Sequence, residues 1–168
     1  MNISQFKGLK VNAMCLFVCC AFNLIIGFLI PSLVIYCLDV FVSENTPADA
    51  LAETLRKQFA EGENIFLLAA IGLLPFIVLS IACFIAAYRL NPAKLACFYL
   101  FGFLGIVGFM IPSHIAVWYP HYSGGRMSST SIISFIFIPF ICVLTLGIGL
   151  LIGWYISRLP FLCKKNDA

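Results

Sequence analysis

The chain has 168 residues and a formal net charge of +3; it is 62% hydrophobic and only 10% charged, with a mean hydropathy of +1.07. A soluble domain usually carries about 25% charged residues, so these values exclude a water-soluble enzyme, a nucleic-acid-binding module, a disulfide-stapled secreted domain and a disordered tail. Four runs carry no charged residue: 11–38, 64–88, 95–125 and 127–157. Each exceeds the roughly 20 apolar residues with which a helix crosses a bilayer.

The uncharged runs predict four transmembrane helices, over about 11–40, 64–88, 93–117 and 131–157. The chain is therefore expected to be all-α, a single transmembrane domain over 1–168 that forms an integral membrane four-helix bundle. The first run is too long for the apolar region of a secretory signal, which has about 7 to 15 residues. Each span holds one proline, which predicts four kinked helices: Pro31, Pro75, Pro112 and Pro139.

Asn23 is the strongest polar group deep within the first span. A hydrogen bond from such an amide to a neighbouring membrane helix contributes about 1 kcal/mol. We expect Asn23 to bond to another helix of the bundle, and a ligand-binding role is the less favoured alternative.

The longest polar segment, residues 43–63, joins the first two spans. Thr46 followed by Pro47 is typical of an N-cap and a first helical residue, and Gly62 predicts the stop. The segment is therefore expected to contain a short helix.

This helix is expected to be amphipathic. Glu53 and Lys57 form an i,i+4 pair on one face. The opposite face is apolar at helical spacing: Ala48, Leu51, Leu55 and Phe59. The pattern predicts an external amphipathic helix that lies on the membrane surface or caps the bundle.

Spans two and three are joined only by residues 89–94, so we expect them to be antiparallel neighbours. Small residues let helix backbones approach closely in membranes. Five glycines in spans three and four predict packing faces: Gly102, Gly105, Gly108, Gly149 and Gly153. The alternative is that one of these grooves receives a helix from another protein.

The loop Gly124-Gly125-Arg126 precedes a run of hydroxyl side chains, residues 128–131, that leads into span four. Amides at a helix N-terminus and a guanidinium suit an anion such as a lipid phosphate or a partner carboxylate. The alternative is simple N-capping of span four, with Arg126 solvated at the headgroups. Six residues are candidates for partner binding: Arg126, Gly124, Gly125, Leu51, Leu55 and Phe59.

The distribution of charge predicts the orientation of the chain. The side that holds both termini carries seven basic residues and one acid, whereas the other side carries three basic residues and six acids. Basic residues near helix ends stay on the cytoplasmic side, so both termini are expected in the cytoplasm.

Neither an enzyme nor a cofactor or metal site is predicted. No pair of acids, Ser–His–acid set or metal-ligand cluster can be assembled at one depth. The eight cysteines have no C-x-x-C spacing and are expected to pack as small hydrophobes. The spans carry no acid or base apart from His114 and His121, which counts against a proton-coupled transporter.

Two patches resemble the immunity proteins of pore-forming colicins of the colicin A and B type. They are Ile-Ile-Gly-Phe-Leu-Ile-Pro at 25–31, and Thr-Pro-Ala-Asp-Ala-Leu at 46–51 with Leu-Arg-Lys at 55–57. Ser-Gly-Gly-Arg at 123–126 is similar to a loop before that family's last span. The resemblance implies a bacterial inner-membrane protein that binds the apolar helices of an incoming toxin and prevents pore opening.

Three functions remain open from the sequence. The first is a non-enzymatic protein that binds a pore-forming toxin or another membrane protein. The second is a structural or accessory subunit of a membrane complex, and the third and least favoured is a small transporter or channel. The expected surroundings are membrane lipids, and no nucleic acid is expected as a partner.

Overall fold

The structure is a computed structural model that describes the backbone of residues 3–59, 64–125 and 130–158. Side chains are described over 17–59, 64–125 and 133–158. These residues form six α-helices and no strand: α1 Ile3–Phe41, α2 Pro47–Arg56, α3 Ile65–Gly72, α4 Leu74–Ala87, α5 Pro92–Tyr122 and α6 Thr130–Ile156.

Four stretches are long and apolar enough to cross a membrane: Phe17–Phe41, Ile65–Ala87, Pro92–Tyr122 and Ile133–Ile156. The chain is thus a polytopic membrane protein, and the predicted all-α four-helix bundle is confirmed. Its core contains large side chains from every span, among them Ile35, Phe76, Trp118 and Leu146.

The second span is two helices rather than one kinked helix. Helix α3 ends at Gly72 and α4 begins at Leu74, with Leu73 between them. Pro75 lies in the first turn of α4, where its missing amide hydrogen costs little because that turn has no intrahelical acceptor. The other three prolines predicted as kinks lie inside continuous helices.

Helix α5 continues past residue 117, where the sequence predicted the third span to end. Trp118 and Tyr122 are both buried against the bundle, on the same face as His114. Packing of these rings therefore extends the helix by more than a turn beyond its most apolar part.

The most extensive helix pairing joins α5 and α6. A side-chain carbon at Gly105 would lie 2.6 Å from the backbone oxygen of Thr145, and one at Gly153 would lie 2.9 Å from that of Cys97. One at Gly149 would collide with the backbone oxygen of Phe101. The two backbones are in direct contact because these positions have no side chain.

The close backbone contact of the span-three glycines is with span four rather than with the neighbouring span two. Helices α4 and α5 are neighbours, but α5 packs far more extensively on α6. A side-chain carbon at Gly102 would meet Leu146 and Leu150 of α6 as well as Leu79 of α4. Gly108, also expected in a packing face, has no atom within 4 Å of the corresponding position. The short link holds two helix ends together, whereas glycine position decides which backbones touch.

Asn23 joins three helices in the bundle. Its Nδ2 donates to Ser80 Oγ of α4 at 3.1 Å, and Tyr99 Oη of α5 donates to its Oδ1 at 2.8 Å. The Ser80 hydroxyl in turn donates to the backbone oxygen of Phe76 at 2.8 Å. The amide is buried and both its ends are bonded within the protein, as a polar group in a membrane requires.

Candidate partner-binding surface

Helix α2 begins as the sequence predicts. Thr46 is the N-cap, its Oγ1 accepts from the amide of Asp49 at 3.3 Å, and Pro47 is in the first turn. The hydroxyl also donates to the Asp49 carboxylate at 2.6 Å. This cap fixes the start of a helix only ten residues long.

The end of α2 comes earlier than predicted. The helix ends at Arg56, whereas the expected stop at Gly62 lies outside the described residues. Beyond Arg56 the chain pairs with the start of α3: Ile65 donates its amide to the Lys57 oxygen at 3.3 Å and Phe66 to the Gln58 oxygen at 3.1 Å. These two bonds tie the end of α2 to the bundle.

Glu53 holds two basic side chains together on α2. It accepts from Arg56 Nε and Nη2 at 2.8 and 2.7 Å, and Lys57 Nζ lies 3.5 Å from its Oε1. The hydrogen bonds from Arg56, followed by the positive charges of Arg56 and Lys57, lower the pKa of Glu53 from 4.5 to about 2. The carboxylate is therefore charged at neutral pH.

Lys57 lies beneath α2 and not on its solvated face. Its Nζ donates to Tyr122 Oη at 3.3 Å and lies 5.2 Å from the centre of the tyrosine ring, and the residue is only 5% exposed. The hydroxyl, the ring and the Glu53 carboxylate together offset the cost of burying an ammonium group.

The inner face of α2 is therefore the small and polar one. Ala50, Thr54 and Lys57 are buried, whereas Leu51 is 52% and Leu55 is 61% exposed. The expected apolar face exists and is largely exposed, although the Phe59 ring lies 5.4 Å from the Phe66 ring of α3. Small side chains on the inner face let α2 approach closely, and the large ones are left outside.

The exposed face of α2 forms one wall of a cleft. Leu51, Leu55 and Phe59 line it from the α2 side, together with Thr54 and Gln58. The opposite wall comes mainly from α1, with Phe28, Leu29, Ser32, Leu33 and Tyr36, and Phe66 of α3 completes it. We call this the α1–α2 cleft; its volume is about 580 Å³. Three of the six candidate binding residues thus lie side by side.

The other candidate residues lie at the end of α5. Gly124 has a φ of +83°, a left-handed conformation that favours glycine after a helix C-terminus. The amide of Gly125 donates to the Pro120 oxygen at 2.8 Å. Both glycines are exposed, and Arg126 lies outside the described residues. Since Tyr122 contacts Lys57, this turn and α2 occupy the same end of the bundle, which we call the α2 end.

The glycine grooves are closed at four of their five positions, whereas Gly108 is exposed. Gly102, Gly105, Gly149 and Gly153 are covered by atoms of the neighbouring helix of the same chain. The reading in which one of them receives a foreign helix therefore has no geometric support within the described residues.

Several polar residues at the α2 end were not predicted from the sequence. Asp39 is buried in the last turn of α1 and accepts from Asn45 Nδ2 at 2.9 Å. Thr54 is buried with no hydrogen-bond partner for its hydroxyl among the described residues. The spacing of Ala50, Thr54 and Lys57 at three and four residues was the signal available for this second face.

The described residues bring together no group of three His, Cys, Asp or Glu that could hold a metal ion. No protein-family model, curated protein or solved structure matches the chain. What the α2 end does must therefore follow from its chemistry and geometry.

Proposed function

We propose that this protein is a non-enzymatic membrane protein that binds another membrane-inserted protein through the α2 end. The observation that carries this proposal is the orientation of α2. Its large apolar side chains are exposed, whereas Lys57 at its C-terminal end is buried. These apolar side chains lie outside the four spans, where exposed apolar surface is typical of a contact with a protein or with the membrane. In its most specific form, the function is protection against a pore-forming bacteriocin.

The charge distribution and the resemblance to colicin immunity proteins support this form of the proposal. Seven basic residues against one acid on the side of the termini favour cytoplasmic termini in a bacterial inner membrane. In that orientation the α2 end faces outward, where an incoming toxin would meet the membrane. The patches that carry the resemblance include residues 46–51 and 55–57 of α2 and its cap.

The placement of charge argues against the transporter or channel reading. The charged side chains buried in the described part of the chain are Asp39 and Lys57. Both lie near one end of the bundle and do not form a path along it. Membrane transporters usually place such groups along the ion path.

A topology experiment tests the orientation. A chain with cysteine only at position 48, on the exposed part of α2, is compared with one that keeps only Cys163 in the tail. An impermeant thiol reagent added to intact cells should label Ala48→Cys and spare Cys163. The reverse pattern contradicts outward exposure of α2.

A protection assay tests the function. The protein is expressed in sensitive bacteria, which are challenged with a panel of pore-forming toxins, including any encoded beside its gene. Survival is compared for the unchanged chain, for Leu51→Ala with Leu55→Ala, and for Arg126→Ala. A matched control pairs Leu144→Ala with Leu151→Ala, two α6 residues that are 68% and 67% exposed away from the α2 end.

We expect protection that is lost in the α2 pair and reduced in Arg126→Ala at unchanged protein level, and retained in the α6 pair. Equal loss in both pairs would contradict recognition by α2. If cells that carry the unchanged chain stay fully sensitive to a toxin encoded beside its gene, the immunity hypothesis is rejected. The accessory-subunit function would then be preferred.

A further inference from the structure

The end of the bundle opposite α2 collects basic side chains from three helices. Arg89 lies in the turn that joins α4 to α5, and Lys94 lies in the first turn of α5. Arg158 lies two residues beyond the end of α6. Helix α5 runs from this end to Tyr122, which contacts α2. We call Arg89, Lys94 and Arg158 together the basic end.

The register of α5 and α6 puts Arg158 at the level of the start of α5. Gly105 faces Thr145 and Gly153 faces Cys97, so eight residues back along α5 correspond to eight residues forward along α6. Five more residues in each direction bring Arg158 beside the first residue of α5. The three basic residues therefore lie at nearly one depth, on neighbouring helices whose axes are about 8 to 10 Å apart.

No carboxylate balances these charges among the residues whose side chains are described. The acids of that part of the chain all lie at the α2 end: Asp39, Glu44, Asp49 and Glu53. The basic end thus presents three positive charges together. A negatively charged ligand is complementary to it.

Exposed aromatic rings place the basic end at the depth of the lipid headgroups. Tyr88, Trp154 and Tyr155 are 68%, 40% and 66% exposed. Tryptophan and tyrosine concentrate at membrane interfaces, because the ring is apolar and its polar atom can be solvated. The anion that this end meets in a membrane is therefore the phosphate of a phospholipid.

Arg158 is the basic side chain best prepared to hold that phosphate. It is exposed, and its Cζ lies 3.6 Å from the centre of the Trp154 ring. A guanidinium against the face of a ring directs its N–H groups outward in its own plane, where two of them can donate to one phosphate. The ring also restricts the side chain, which lowers the entropy cost of binding.

We propose that the basic end binds the phosphate of an anionic phospholipid, with Arg158 as the main ligand and Arg89 and Lys94 as supporting charges. A zwitterionic lipid carries its phosphate beside a cationic choline, which the three basic groups repel. This inference does not depend on the proposed function, because it requires no protein partner.

The test measures which lipid lies beside Trp154. The full chain is placed in vesicles that mix phosphatidylglycerol with phosphatidylcholine, and one of the two lipids carries bromines in its acyl chains, which quench a tryptophan in contact with them. Trp118→Phe leaves Trp154 as the only tryptophan, whereas Trp154→Phe leaves Trp118, which reports the α2 end. Quenching over a series of lipid ratios gives the relative affinity for the two lipids.

We expect phosphatidylglycerol to be preferred about tenfold beside Trp154, the size of one charge-assisted hydrogen bond with its surrounding charges, and not to be preferred beside Trp118. If Trp118→Phe does not fold, the preference is measured in the unchanged chain after subtraction of the Trp154→Phe signal.

Substitutions separate a site from the net charge. Arg158→Gln should lower the preference about fivefold, and Arg158→Lys should restore only part of it, because an ammonium has no planar fork of donors. Lys164→Gln with Lys165→Gln removes twice the charge, outside the described residues, and should lower the preference less than Arg158→Gln alone. Arg56→Gln, at the α2 end, should leave it unchanged.

Three results would overturn the proposal. The first is equal quenching of Trp154 by the two brominated lipids. The second is a larger loss in the Lys164 and Lys165 pair than in Arg158→Gln, which would assign the preference to the charge of the tail. The third is the same loss in Arg56→Gln, which would assign it to net charge alone. All three are read from lipid contact without a toxin, so this proposal and the proposed function fail separately.

Discussion

The α5–α6 interface and the α2 end of the bundle are held by different forces. Between α5 and α6 the backbones touch at glycines, and the interface has Gly149 against Phe101 and Gly105 against Thr145. At the α2 end a ten-residue helix is held by polar contacts of Lys57 and Gln58.

The difference separates side chains that hold the bundle together from side chains that the fold does not require. Close apolar packing tolerates few substitutions, because added volume has nowhere to go. Polar contacts of Lys57 and Gln58 hold the inner side of α2, and Leu51 and Leu55 on its outer side are more than half exposed. The side chains of Leu51 and Leu55 are therefore not expected to be needed for the fold.

Gly149→Leu should have the largest effect. The new side chain would collide with the backbone of α5, so we expect the free energy of unfolding in detergent to fall by about 3 kcal/mol or more, with a matching loss of folded yield. Gly108→Leu is the control, since a side-chain carbon there meets nothing within 4 Å. Equal destabilisation by both substitutions would show that the glycine contact does not hold the bundle.

Lys57→Ala should loosen α2 and leave the bundle intact. Loss of the contacts to Tyr122 and Glu53 should cost about 1 to 3 kcal/mol. We expect faster hydrogen exchange in α2 and an unchanged melting temperature of the spans. Arg56→Ala removes the same charge from a side chain that is 70% exposed, and it should have a much smaller effect on exchange. Exchange that rises equally in the two variants would contradict a special role for the buried lysine.

Tyr99→Phe tests a polar contact away from both regions. It removes the donor that bonds to Asn23 Oδ1 at 2.8 Å, so unfolding should become easier by about 1 kcal/mol. A double-mutant cycle with Asn23→Ala should give a coupling energy of that size. Additive effects would show that the bond contributes nothing to stability.

The smallest expected effect is on pH dependence. Glu53 has a pKa of about 2 in the folded chain and 4.5 ordinarily, so its ion pairs stabilise α2 fully above pH 4.5 and are lost as the pH falls toward 2. Its side chain is 33% exposed, so solvent screening should hold the effect below about 1 kcal/mol. The protection factors of the α2 amides, which correct for the intrinsic pH dependence of exchange, should fall over this window, and Glu53→Gln should remove that fall. A pH dependence that survives Glu53→Gln would assign it to another group.

The spans and the start of α2 could be predicted because they depend on local composition. A long uncharged run has one common way to satisfy its backbone in lipid, which is a helix. Thr46 and Pro47 likewise determine a helix start through their own hydroxyl and ring. Neither inference requires knowledge of what lies beside the segment.

The partners of the helices could not be predicted in the same way. The short link at 89–94 correctly made spans two and three neighbours, but it could not show that Gly105 faces Thr145 of α6. The sequence supplies the periodicity of small residues, whereas the rotation of each helix about its axis depends on all its neighbours at once. Nor could the sequence show that the second span is divided into two helices beside Pro75, whereas the other three prolines lie inside continuous helices.

The orientation of α2 was decided by the tertiary structure alone. Its sequence determines two faces, an apolar one with Leu51, Leu55 and Phe59 and a polar one with Lys57. Local patterning left open whether the apolar face meets the membrane surface or the bundle; in the structure Lys57 donates to Tyr122, 65 residues further along the chain, and Leu51 and Leu55 are more than half exposed. The cost of burying the ammonium group is offset by the hydroxyl and ring of distant Tyr122 together with the carboxylate of nearby Glu53, and no local pattern encodes the part that Tyr122 supplies.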